Sequence, residues 1–106
     1  MQSKNPFTVL QTEAPQVSEA FTNLIAAVSA GGLDAKTRQL IFIGIKASQG
    51  DASAVAAHVP MAKSEGASRE EILGAILMTL TVSGIQGITN CLIPALEAYE
   101  RKEESI

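Results

Sequence analysis

The chain has 106 residues, near the common size of one domain and enough to enclose a modest core. A formal charge of −3 and a pI near 5.0 exclude the basic patch that a nucleic-acid partner requires, and a single cysteine excludes an internal disulfide, as suits a reducing cytoplasm. Hydrophobic residues make up 46% and aromatics only 4%, so the core is built from Ala, Ile, Leu, Val and Met, which suits closely packed smooth helices.

Residues 1–12 are polar and mixed, and are expected to form a leading arm rather than an element. Pro15 suits the first turn of a helix, where its missing N–H costs nothing. Val17, Phe21, Leu24, Ile25 and Val28 then recur at helical spacing, and Gly31-Gly32 ends the pattern. Asp34 is a good N-cap for a second helix, about residues 35–49. Its block Leu40-Ile41-Phe42-Ile43-Gly44-Ile45 is apolar around the whole circumference and predicts burial on all sides.

A third helix is predicted over about 51–64, with Asp51 as N-cap and Pro60 inside as the site of a kink. Gly66 ends it. Ser68 and Glu71 have the spacing of a capping box and open a fourth helix over about 69–83. The run from Leu73 to Ile88 is apolar but interrupted by glycine, threonine, serine and glutamine, and falls short of the ~20 residues of a membrane span. It reads as a buried core helix, with Thr79, Thr81 and Ser83 satisfied by their own backbone. After a break at 83–87 a last helix covers about 88–103, bent at Pro94, and residues 100–106 form a charged, frayed tail. The expectation is an all-α single domain of about five helices.

No basic segment precedes an apolar run at the N-terminus, so neither a signal peptide nor a membrane partner is expected, and the chain is read as cytoplasmic. Charged residues reach 18%, against about 25% in typical soluble domains, which predicts that part of the surface is buried against a second copy. The expected partners are therefore the chain itself, as a homo-oligomer, and a small-molecule ligand.

Five residues are candidates for chemistry or its support. His58 is the single histidine; it is either a satisfied structural group or a general acid/base, since imidazole titrates near neutral pH. Asp51 lies seven residues earlier, two helical turns or ~10 Å away. It is an N-cap carboxylate or a second acid/base group. Lys46 interrupts an apolar run, so it snorkels, meets a carboxylate, or faces a cavity where it could hold a carboxylate substrate. Cys91 is either a small buried apolar residue or a thiol site that His58 approaches across helices. One histidine without a ligand cluster supports no metal site, and no cofactor is expected.

The pattern His58-x3-Ala62-x3-Gly66, followed by Ala67-Ser68-x-Glu70-Glu71-Ile72, resembles the carboxymuconolactone decarboxylase family and its alkylhydroperoxidase D-like relatives, over about residues 21–99. The resemblance implies an all-α fold, assembly as a trimer or hexamer, and a functional histidine at His58. It also implies where this chain departs. Peroxidase members carry Cys-x-x-Cys-x-x-x-His, and the two cysteine positions hold Asp51 and Ala54 here. Their relay glutamate corresponds to Gln39, the fifth candidate, which can hydrogen-bond but not carry a proton. A disulfide-type peroxidase mechanism is therefore not supported.

Three functions remain. The first is a non-redox small-molecule enzyme similar to the decarboxylase branch, with His58 moving a proton and Lys46 or Gln39 orienting a substrate carboxylate. The second is a peroxidase or peroxiredoxin-type thiol oxidoreductase resting on Cys91, and the third a non-catalytic ligand-binding protein.

Overall fold

A computed structural model describes residues 5–102. Among them are six α-helices, one short 3₁₀ turn and no strand. The helices are α1 (Pro6–Glu13), α2 (Pro15–Ser29), α3 (Ala35–Ser48), α4 (Ala52–Ser64), α5 (Arg69–Met78) and α6 (Gln86–Glu100). None of them is long and apolar enough to cross a membrane. The chain divides into two compact units, one up to Leu33 and one from Asp34 onward.

In the first unit the expected leading arm is helical from Pro6, while residues 1–4 lie outside the described residues. Asn5 caps α1 by accepting the Phe7 N–H at 2.8 Å, and Pro6 occupies the first turn. Both signals stand in the sequence, but α1 has only eight residues and too short an apolar pattern to reveal its period. Phe7 stacks on Phe21 of α2, with ring centroids 6.0 Å apart. Among the described residues of this unit none is buried.

The second unit holds the core. Ile43 and Ala47 of α3, Val55, Val59 and Ala62 of α4, Ile72 and Ile76 of α5, and Cys91, Ala95 and Ala98 of α6 are buried together. Three- and four-residue spacing on every helix makes each contribution one stripe. Small side chains on α6 let it lie close to α4.

Local chemistry sets the ends. Asp34 accepts the Thr37 N–H at 2.7 Å, and this bond, ahead of nearby Lys36 and Arg38, holds its carboxyl below the ordinary range. Ser68 and Glu71 complete the capping box in both directions, at 3.0 and 2.9 Å. Gly50 has φ of +72° and turns the chain from α3 into α4. There the Gly50 N–H bonds to the Ala47 carbonyl at 2.9 Å and the Asp51 N–H to that of Lys46 at 3.0 Å, a Schellman closure.

Three expectations are corrected. Helix α3 is not buried all round: Ile43 is buried, whereas Ile41 and Ile45 are exposed and border a shallow apolar groove between α3 and α5. The apolar run from Leu73 is not one core helix either. It ends as α-helix at Met78, tightens into a 3₁₀ turn over Thr79–Thr81, and leaves Met78, Leu80, Val82 and Ile85 exposed. The hydroxyls do bond their own backbone: Thr79 donates to the Ile76 carbonyl at 2.6 Å, Thr81 to Met78 at 2.9 Å, and Ser83 to Thr79 at 3.4 Å. The last helix starts at Gln86 and keeps Glu100; the rest of the expected tail, beyond Lys102, lies outside the described residues. Both α4 and α6 run on as helix through Pro60 and Pro94.

Candidate active site

Helices α3 and α4 form an antiparallel hairpin about the Gly50 turn. In such a hairpin, residues equally far from the turn meet. Lys46 and Asp51 are the near pair, with Lys46 Nζ 4.0 Å from Asp51 Oδ2. Seven residues further along each helix, Gln39 and His58 are the far pair, with His58 Nδ1 2.9 Å from Gln39 Oε1. Two helical turns, ~10 Å, separate the pairs along the axes. The seven-residue interval that keeps Asp51 from reaching His58 within α4 is repeated on α3, so each α4 residue finds an α3 partner instead.

His58 is half-buried. An amide oxygen only accepts hydrogen bonds, so the Nδ1–H donates to Gln39 and Nε2 carries the lone pair. Burial, and secondarily the Lys46 ammonium, lowers the His58 pKa below its ordinary 6.5. The imidazole is thus neutral at physiological pH with one nitrogen available as a base. Phe42, one turn beyond Gln39 on α3, stacks on it with centroids 3.6 Å apart and planes 22° from parallel. Sequence reasoning passed over Phe42 as part of an apolar block. Its three-residue offset from Gln39 was the signal, but it has meaning only once α3 is rotated against α4.

Asp51 caps α4, accepting the Ala54 N–H at 3.1 Å. The two positions at which the resemblance would place cysteines are therefore joined by a capping hydrogen bond. Lys46 is partly exposed and faces the Asp51 carboxylate. Among the described residues, no three of His, Cys, Asp and Glu are grouped so as to hold a metal ion.

Cys91 is fully buried in the α6 face of the core. Burial pushes its thiol pKa above the ordinary 9.0, and the Asp51 carboxylate pushes it further. Both effects oppose the thiolate that a redox site needs. In the folded protein, iodoacetamide is expected to leave Cys91 unmodified over hours and to give one adduct only in denaturant, read by intact mass. Rapid labelling of the folded state would show an accessible thiolate and reopen the redox reading.

The described residues thus form an all-α protein whose candidate site is one imidazole of α4 held by an amide and an aromatic ring of α3. A sequence model of the carboxymuconolactone decarboxylase family matches residues 15–97, and the chain belongs to that family. No curated protein and no solved structure matches it.

Proposed function

We propose that this family member is a non-redox small-molecule enzyme in which His58 transfers a proton on a carboxylate-bearing substrate. The observation that carries the reading is the 2.9 Å bond between His58 Nδ1 and Gln39, which leaves Nε2 free as the basic nitrogen. When Nε2 takes a proton from the substrate, the ring becomes an imidazolium whose Nδ1–H still donates to Gln39. The glutamine cannot accept that proton. It stays on Nε2 and returns to the substrate or to water, rather than passing down a relay as a carboxylate partner would allow. Such an arrangement suits proton abstraction beside a carbonyl, or protonation of the carbanion left by loss of carbon dioxide.

Among the described residues the Lys46 ammonium is the positive charge that acts on His58, and it stands on the same face of α3 as Gln39 and Phe42. It is the substrate-carboxylate group in this reading. Asp51 has a positioning role, through the α4 cap and Lys46. The buried Cys91 thiol supports neither the peroxidase reading nor a thiol nucleophile.

The test is a panel of small carboxylic acids with an acidic C–H, incubated in D₂O and followed by proton NMR. Exchange of one C–H, or loss of carbon dioxide, in the native protein and not in His58→Ala is the expected result. Activity equal in both proteins would overturn the role of His58. Lys46→Ala is expected to raise KM about tenfold, equivalent to about 1.4 kcal/mol, with kcat changed less.

We further infer that the chain self-associates. Val17, Leu24, Ile25 and Val28 of α2, and Met78, Leu80 and Val82 after α5, are exposed apolar side chains on a chain with few charges. Light scattering at micromolar concentration is expected to give a trimer or hexamer mass. A concentration-independent monomer mass would refute self-association.

A further inference from the structure

Nothing in the sequence motif marks Phe42, yet it makes the closest ring contact among the described residues and makes it with His58. We propose that Phe42 is a positioning residue for His58: it closes one face of the imidazole, and with the Gln39 bond it leaves in-plane approach to Nε2 as the ligand's route to the base. This rests on the reading of His58 as the acid/base group.

A single hydrogen bond at Nδ1 fixes one point of the ring but leaves it free to swing about that bond and to flip about Cβ–Cγ, which puts Cδ2 where Nδ1 was and breaks the bond that selects the Nδ1–H tautomer. A ring stacked face-on is a constraint at right angles to the first. The Gln39 bond acts in the imidazole plane at 2.9 Å, and the phenyl ring acts perpendicular to it at 3.6 Å between centroids. Together they define the ring's plane and its rotation within that plane. At 3.6 Å there is no room for water between the rings, so that face is dry. Both constraints come from one rigid helix at a three-residue offset, Gln39 and Phe42, so they move together.

Packing alone does not account for the contact. Neither Phe42 nor His58 belongs to the fully buried set, and an aliphatic side chain would fill the same space without lying flat on the imidazole. The charged group acting on the ring from α3 is Lys46, which lies beyond Phe42 along the helix and stays in place when Phe42 is changed.

Because His58 is the only histidine, ¹⁵N-resolved imidazole NMR reads this site without assignment. At pH 8 the native protein is expected to show one tautomer, protonated at Nδ1 and unprotonated at Nε2. Phe42→Leu and Phe42→Met are expected to lower the Nδ1–H to Nε2–H ratio by about tenfold, equivalent to about 1.4 kcal/mol. Phe42→Tyr, which keeps a flat ring, should retain the native spectrum. Circular dichroism identifies the variants that fold, and Phe42→Tyr against whichever aliphatic variant folds is sufficient. An aliphatic variant with native helix content and an unchanged spectrum overturns the proposal, as does a native protein with mixed tautomers. The spectrum needs no substrate. If the tautomer shifts in Phe42→Leu while His58→Ala leaves proton exchange untouched, the positioning stands and the enzymatic reading fails.

Discussion

His58→Ala is expected to lower substrate turnover by about 100- to 10,000-fold, the usual contribution of a positioned acid/base group, while leaving helix content intact. The fold tolerates the change because His58 is half-buried and outside the core that binds the helices. The pH dependence gives a second readout. Burial, followed by Lys46, lowers the His58 pKa below 6.5, so the basic form persists below that pH and is lost as pH falls through the lowered pKa. The acid limb of kcat/KM is therefore expected below pH 6.5. Lys46→Ala removes a charge that disfavours the imidazolium, so it should move that limb to higher pH. A limb at or above 6.5 in the native protein, or one unmoved by Lys46→Ala, would contradict the assignment of His58 as the base.

Gly87→Val is expected to destabilise the helical core by about 1–3 kcal/mol or more, the cost of overpacking a close contact. Gly87 is buried near the start of α6, where that helix lies against Ala47 of α3 and Thr79 of the 3₁₀ turn. A Cβ at this position would lie 2.5 Å from Thr79 Oγ1 and 3.1 Å from the Ala47 carbonyl oxygen. The hydroxyl cannot easily yield, because Thr79 is buried and donates to the Ile76 carbonyl at 2.6 Å. Nor can a backbone carbonyl inside α3. For a domain of this size each kcal/mol lowers Tm by roughly 4–8 °C, so thermal unfolding resolves the effect. Gly87→Ala should cost less, and Thr79→Ala should recover part of that cost through non-additivity. Gly87→Ala with native Tm would mean that α6 lies further from α3 than this geometry has it.

Gly87 and Gly50 show why one residue type carries different requirements. Gly50 is legible locally, because a helix exit followed by an Asp cap demands a positive φ there. Gly87 has an ordinary helical backbone, and its need for a missing side chain arises from Thr79 and Ala47, on other elements. The same division runs through the helix ends. Asp34, Asp51 and the Ser68–Glu71 box act within three residues, and the helices begin where those residues stand. The end of α5 at Met78, five residues before the expected break, follows no such signal. The Thr79-Leu80-Thr81 segment tightens into a 3₁₀ turn where the chain must redirect toward α6.

By itself the sequence determined the all-α class, most caps and the family. These are properties of residue type and of spacing along one helix, where backbone dihedrals and periodicity act over three to seven residues. Only the tertiary structure decided that His58 meets Gln39 and Phe42, that Lys46 meets Asp51, and that Cys91 is sealed in the core. Those partners lie across helices. Which side chains meet there depends on the rotation and register with which α3, α4 and α6 pack. Helix packing sets these through the summed burial of many small apolar contacts, and no short stretch of sequence encodes that sum.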